Sequence, residues 1–489
     1  MKIEKNLEYK GKFKILTSEQ DFEVLNGSIS FDDSNKNKIT LWVDDVRSFP
    51  LKLGECFNLI SDLSNLKNCI LLNCFITSIP SYGSGEVHIV ANKVIFDLDS
   101  DILGSVLSYL KNSEIYFDGI RFRFDNIDVW ANSTKIFEVL NNREENTLEI
   151  KCKMRDSILL YENDNVIIQV IFMYNFPGFP IIKNATISES SYIEIICREG
   201  SSRMTIDELL EYTYYVHSFL DFTIGSLSLI NDVFMLFRDD KNKIHKSKYI
   251  IPSASLGKKD QTLKWLDVNI PLDSLVSDNK LIYLENWINH FEKIRPSIEL
   301  YRNYKLAGNN STESKFLWLA QSVEALHRRT CLGTEISENE YEIMKAELKK
   351  YCPPNYLKWL ENKLKYGNEI SFKKRVNEFI DPVWEVLNTK LNNYEANPQF
   401  CSNLKKRCKS DIVKYRNEFT HYDPKHPKIT IDIALRIITL TTLLEFVLIY
   451  QVYLFIGLKK EDILNLLSFG HNKIGRLLVN LKYQIKRYL

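Results

Sequence analysis

Two periods of hydrophobicity divide this chain. Through its first 200 residues, apolar and polar side chains alternate in short runs. Phe13-Lys14-Ile15-Leu16, Ile39-Thr40-Leu41-Trp42-Val43, Val87-His88-Ile89-Val90 and Ile120-Arg121-Phe122-Arg123-Phe124 are rich in β-branched and aromatic residues. A period of two sends every second side chain to the same face of a sheet, so these runs predict strands. Turn-forming clusters separate them at Asp32-Asp33-Ser34-Asn35, at Ser81-Tyr82-Gly83-Ser84-Gly85 and from Asn141 to Asn146. Strands at this spacing predict a sandwich or a strongly bent sheet. Ile102 to Leu110 is expected as one short helix within it.

The period changes near Ser202. Leu209, Leu210, Thr213, Val216, His217 and Leu220 recur at helical spacing, with Thr205 and Glu208 as a capping box and Gly225 as the stop. A strand-like stretch follows from Ile230 to Phe237, then a lysine-rich loop from Lys241 to Lys248 and a connector around Gly257-Lys258-Lys259-Asp260. From Leu281 onward the pattern is helical. Leu284, Trp287, Ile288, Phe291 and Ile294 mark a helix expected to end before Pro296. After the loop Gly308-Asn309-Asn310-Ser311-Thr312, a helix capped by Thr312 or Ser314 buries Phe316, Leu319, Ala320, Val323 and Leu326. Two or three shorter helices between Ser337 and Leu391 are broken at Pro353-Pro354 and Gly367. The remainder predicts a basic helix (Leu404 to Phe419), a long apolar helix (Thr430 to Leu458) and a basic terminal helix. The expected fold class is α+β and multidomain. A β-rich, sandwich-like domain occupies 1–200, a helix-containing continuation and connector 201–280, and an all-α bundle 281–489.

A chain of 489 residues is too long for one compact core. Its net charge of +1 confines any polyanion-binding surface to a local patch. The start, Met1-Lys2-Ile3-Glu4-Lys5-Asn6, lacks the apolar core of a secretion signal. Nine cysteines, with no C-x-x-C pair, are expected as buried reduced thiols in a cytoplasmic protein; Cys69 and Cys74 are the nearest pair. The apolar stretch Ile431 to Leu458 is interrupted by Asp432, Arg436 and Glu445. Its uncharged run from Phe446 falls short of the roughly 20 residues that span a bilayer, so a buried core helix and no membrane contact are expected. Asp97-Leu98-Asp99-Ser100-Asp101 imitates the start of a calcium loop, but Ile102 stands where glycine is required and Ser108 where glutamate is. No glycine-rich phosphate loop occurs, and neither metal nor cofactor is expected.

The chemistry concentrates at Tyr415-Arg416-Asn417-Glu418-Phe419-Thr420-His421-Tyr422-Asp423-Pro424. A guanidinium at Arg416 can clamp a phosphate with two parallel donors and stays charged at any working pH. An imidazole at His421 titrates near neutrality and can take or give a proton. Asn417 can position either partner. From Cys401 to Lys428, eight lysines and arginines face three acids, a net of +5. Lys405, Lys406, Arg407, Lys409 and Lys414, with Tyr422, form the expected RNA-binding surface. Arg416 and His421 are five residues apart, about 140° around a regular helix. Either the helix loosens after Phe419, or the site is composite and draws on two protomers. Glu324 can orient His421, hold Arg416, or pair with Arg328 one turn along. His327 is expected to be structural. In the terminal helix Ile474, Leu477, Leu478, Leu481, Ile485 and Tyr488 form an apolar stripe opposite Lys473, Arg476, Asn480, Tyr483 and Arg487.

The helix Ser314 to Arg329, with its Glu-Ala-Leu-His-Arg core, together with Arg416-Asn417-x-x-Thr420-His421-Tyr422, resembles the HEPN superfamily. The closest resemblance is to the ApeA-like HEPN proteins of bacterial anti-phage defence. It covers the last 200 residues or so by motif and the first 280 by general character. It implies a metal-independent endoribonuclease that dimerises through its HEPN domain. Arg416, Asn417 and His421 then match the catalytic positions, and Glu324 an acidic one. It also implies abortive infection as the setting, RNA (tRNA among the candidates) as substrate, and a phage-derived or cellular trigger sensed by the N-terminal region. The alternatives are a non-catalytic HEPN scaffold for dimerisation or RNA binding, and a toxin neutralised by a nucleotidyltransferase partner, although the large N-terminal region is unlike such small toxins.

Overall fold

The computed structural model describes residues 7–16, 24–31, 37–63, 66–98, 110–111, 114–131, 137–142, 147–177, 186–239, 241–250, 263–277, 281–308, 310–331, 333–391, 398–421, 429–468 and 470–487. The expected helix at 102–110 and the calcium-like loop fall mostly outside them, as do the connector around Gly257 and Tyr422. The chain divides into two compact units, Met1–His217 with Ser228–Leu263, and Ser218–Leu227 with Lys264–Leu489. The stretch 201–280, expected as a continuation and connector, is thus shared between the two.

In the first unit, β1 (Glu8–Leu16), β2 (Leu25–Phe31), β3 (Asn37–Val43), β4 (Cys56–Leu63), β5 (Leu66–Ser78) and β6 (Gly85–Leu98) are joined antiparallel in the order β6-β3-β2-β1-β4-β5. Pairing of β5 with β6 then closes the ring. Of the two expected architectures, a sandwich or a strongly bent sheet, the strands take the second, bent until it closes into a barrel. Alternation reports only that one face of each strand is buried, which both architectures require; closure is set by the β5–β6 register. Phe13, Ile29, Ile39, Leu41, Leu59, Leu71, Val87 and Ile89 fill the interior. The far end of β6 also pairs with Ile244–Ile250. From there the sheet runs on through Ile230–Arg238, Gly119–Phe124, Ser188–Cys197, Val166–Asn175 and Ile158–Glu162. The expected lysine-rich loop is therefore mostly a strand, in which Ser247 and Tyr249 point inward and lysines outward.

Two helices accompany this sheet, α1 (Ile127–Ala131) and α2 (Ile206–Ile224). The capping box of α2 forms as its sequence indicates: Glu208 N donates to Thr205 Oγ1 (3.3 Å) and Thr205 N donates to Glu208 Oε2 (2.8 Å). Gly225 ends the helix at φ +82°, where a side chain would be strained.

The second unit is helical: α3 (Leu272–Ser277), α4 (Ile282–Leu306), α5 (Thr312–Thr330), α6 (Glu338–Tyr351), α7 (Pro354–Leu364), α8 (Phe372–Leu391), α9 (Pro398–His421), α10 (Ile431–Phe455), α11 (Lys460–Ser468) and α12 (Lys473–Arg487). Its core helix is α10, long and apolar enough to cross a bilayer, with a mean hydropathy of 1.9 over 18 residues. Two-thirds of that window is buried within the protein. Glu445 breaks the apolar run because it has partners inside. Tyr304 Oη donates to it at 2.8 Å and Lys305 Nζ at 2.9 Å. A buried carboxylate is tolerated when hydrogen-bonded and paired in this way.

Helix α4 corrects another expectation, since it continues through Pro296. Proline removes the N–H that the carbonyl of Glu292 would receive. Arg329 Nη1 of α5 donates to that carbonyl instead, at 3.2 Å. Ser311, rather than Thr312 or Ser314, caps α5 by accepting from Ser314 N. Among the described residues the thiols are free, and although Cys69, Cys74, Cys197 and Cys408 are buried as expected, Cys56 and Cys331 are exposed.

Candidate active site

Helix α9 is fastened by a stripe of Leu404, Cys408, Ile412, Tyr415 and Phe419, all buried. Phe419 meets Phe316 of α5 edge-on, with centroids 5.9 Å apart, and stacks on Tyr415 at 5.8 Å. This anchorage holds the helix regular to His421, so it does not loosen after Phe419. Arg416 and His421 accordingly stay on different faces of one helix. Asn417, Thr420 and His421 are exposed at its end.

Arg416 is half-buried, with 26% of its side chain exposed, and its guanidinium is held on three sides. Nη2 donates to Glu324 Oε2 at 3.1 Å, Nη1 to Asn417 Oδ1 at 3.2 Å, and the Phe372 ring lies 5.0 Å beneath it. Glu324 uses its other oxygen for Arg328, whose Nε and Nη2 donate to Oε1 at 3.1 and 3.0 Å. Arg328 Nη1 continues to Glu369 at 3.0 Å. Two of the three roles open to Glu324 are therefore filled together: it holds Arg416 and pairs with Arg328.

Beneath this layer His327 and Arg375 are fully buried. His327 Nε2 and Glu378 Oε2 lie 2.6 Å apart, and His327 Nδ1 is 3.1 Å from Arg375 Nη1. Burial pushes the His327 imidazole below its usual value, the Glu378 hydrogen bond opposes this, and the Arg375 charge adds to the fall. Sequence reasoning missed Phe372, Glu369, Arg375 and Glu378. They lie 41 to 51 residues from their partners on α5 and α9, and no spacing rule links them.

A model of the Apea-like HEPN family matches residues 317–462, and one of ApeA N-terminal domain 1 matches residues 8–287. The second alone spans more than half of the sequence. The chain belongs to the ApeA family. Its HEPN match takes in Glu324, Phe372, Arg416 and His421 together. No curated protein matches the chain.

The basic face of the ApeA HEPN unit is smaller than its charge count suggests. Lys405 and Lys409 of α9 both engage Asp381 of α8, Lys405 at 2.6 Å. Burial raises the Asp381 carboxyl, but these two hydrogen bonds outweigh it and hold the group below its usual range. Arg407 leans toward Asp411 at 4.0 Å and Lys414 toward Glu418 at 3.9 Å. Lys406 and Lys414 remain exposed toward solvent. A cavity of about 340 Å³ elsewhere in this unit is lined by Asp221, Lys305, Glu445 and Arg476 and contains none of the motif residues. Its charges are internally paired, Asp221 with Arg302, Glu445 with Lys305 and Arg476 with Asp267.

Proposed function

We propose that this ApeA-like protein is a metal-independent endoribonuclease acting in anti-phage defence. The observation that carries the reading is the preorganised guanidinium of Arg416, fixed by Glu324, Asn417 and Phe372 near the exposed helix end that bears His421. In the reaction, a ribose 2′-hydroxyl attacks the adjacent phosphorus. The new bond is 2′-O–P and the broken one is P–O5′, leaving a 2′,3′-cyclic phosphate and a 5′-hydroxyl. His421 takes the 2′-proton or supplies the proton to the leaving oxygen. Arg416 stabilises the charge that grows on the non-bridging oxygens, and Asn417 orients the arginine.

Because Arg416 and His421 point to different faces, the productive site is taken to form where two protomers meet about a two-fold axis. The surface that supports this is the start of α10. Ile431, Leu435 and Ile438 are exposed there at 80%, 53% and 41%, spaced to form one apolar stripe. Arg436, on a different face of the same turns, hydrogen-bonds Tyr415 of α9, so the start of α10 packs against the motif helix while the stripe faces solvent. The barrel-containing unit is assigned the sensing of a phage-derived or cellular trigger, and the cytoplasm is the setting in which cellular RNA, tRNA among it, is the substrate.

A second reading, a non-catalytic scaffold, is favoured by the ion pair of Arg416 with Glu324, since a purely structural arginine would be held in the same way. Mapping RNA ends after expression of wild type and His421→Ala separates the two. His421 is exposed, so its loss leaves a scaffold intact. New cyclic-phosphate ends with wild type and none with His421→Ala support the ribonuclease; identical ends with both overturn it.

A further inference from the structure

Helices α6 and α7 form a hairpin inserted between the elements that grip Arg416. The chain passes from Glu324 and Arg328 on α5 through the hairpin to Glu369 and then to Phe372, beneath Arg416. The base of the hairpin is clamped. Thr334 and Glu369 form a backbone bridge, Asn368 bonds both N–H and C=O of Ile336 at 3.0 Å, and Tyr341 Oη donates to the Leu364 carbonyl at 2.5 Å. Whatever binds the hairpin is thereby fixed in register with the site.

The outer face of this hairpin is open to solvent. None of the α7 side chains is buried. Tyr351, Tyr356, Trp359 and Tyr366 are exposed at 80%, 62%, 61% and 62%. Tyr356, Trp359, Lys363 and Tyr366 follow at intervals of three, four and three, one face of a helical path. From Lys349 to Tyr366 five lysines face a single acid, Glu361, which Lys349 pairs at 2.8 Å, while Glu338, Glu340, Glu342 and Glu347 lie along α6, so the cationic side of the hairpin is that of α7. Lysine ammonium groups lie 5.7 Å from the Tyr351 ring and 5.3 Å from the Tyr366 ring.

We infer that the α6–α7 hairpin is a stacking platform that binds unpaired nucleotides of RNA and leads them to Arg416. Solvent-facing rings interleaved with cations match a single strand, which offers a base face and a phosphate at every step. A duplex keeps its bases stacked and unavailable. A protein partner would favour an apolar face rimmed by charge; the exposed apolar residues of the hairpin helices, Ile343, Met344 and Leu348, are on α6, while along α7 rings and lysines alternate. The inference rests on the ribonuclease reading and adds the substrate class, single strands and loops, to it.

The test uses full-length protein carrying His421→Ala, so that binding is read without cleavage. Anisotropy is measured with a labelled oligouridine of about twelve nucleotides, and Tyr356→Ala, Trp359→Ala and Tyr366→Ala are expected to weaken binding by about tenfold each. A blunt RNA duplex should show less than about a twofold change, since its bases are not free to stack. Lys358→Glu with Lys365→Glu, in the same His421→Ala protein, should weaken single-strand binding and flatten its salt dependence. In the active enzyme the aromatic variants should raise KM and leave kcat near wild type. Unchanged oligouridine affinity, an equal loss for the duplex, or a shift in sedimentation with no change in RNA affinity would each overturn the inference, the last by making the hairpin a protein interface. Wild type that binds oligouridine through the hairpin yet leaves RNA uncut refutes the ribonuclease reading and not the platform.

Discussion

At the scale of single residues, Arg416 is defined by geometry as much as by charge. Its two terminal nitrogens go to different acceptors while its flat face rests on Phe372. A lysine keeps the charge and loses the planar fork and the stacking. Arg416→Lys is therefore expected to reduce RNA cleavage about a hundredfold or more, in the range seen when a preorganised oxyanion donor is removed. Cleavage within a fewfold of wild type would show that charge alone suffices. His327 carries a separate expectation. Burial lowers its proton affinity in the folded protein, so the fold favours the neutral ring. That contribution is fully present above the unfolded value of about 6.5 and is lost as the pH falls through the lower folded value. Melting temperature should decline on acidification below about pH 6.5, and His327→Gln should flatten that decline. Equal steepness in both proteins would place the titrating group elsewhere.

At the scale of elements, α10 changes character along its length. From Ile437 onward it is the core of the bundle, while its first two turns expose the stripe of Ile431, Leu435 and Ile438. Leu435→Arg is expected to leave the melting temperature within a degree or two, as surface changes usually do. The same variant should convert dimer to monomer in sedimentation and abolish cleavage. A fully active monomer would refute the composite site. Helices α4 and α5 give a stability test. Arg329 completes the carbonyl that Pro296 leaves without a donor. Arg329→Ala should cost about 0.5–1 kcal/mol in denaturant unfolding, the usual net worth of one hydrogen bond at an accessible site. In a Pro296→Ala background the backbone N–H is restored, and the same substitution should cost nearly nothing. A cost independent of residue 296 would assign Arg329 another role.

At the scale of the whole molecule, a long β-rich unit and a helical HEPN unit of similar size share one chain. The proposed chemistry draws its nucleophile from the substrate ribose. Cleavage should accordingly persist in excess EDTA, leave 2′,3′-cyclic phosphate or 3′-phosphate ends, and spare DNA of the same sequence. Loss of cleavage on chelation, restored by magnesium, would direct the search to another site.

The sequence by itself determined the two hydrophobic periods, the capping box at Thr205, the buried course of α10 and the Arg416-Asn417-His421 triplet, because each depends on neighbours within a turn or a strand. It also exposed the geometric problem of that triplet, since helical rotation per residue is fixed by local sterics. Tertiary structure decided what depends on residues far apart in the chain. Barrel closure by β5 and β6 depends on register, to which alternation is blind. Pro296 stays within a helix because Arg329, 33 residues later, supplies the missing donor. Lys405 and Lys409 are withdrawn from the basic face because Asp381 packs beside them. Glu324 serves two arginines at once because α5 and α9 cross where its two oxygens reach both, a convergence that only the packed bundle creates.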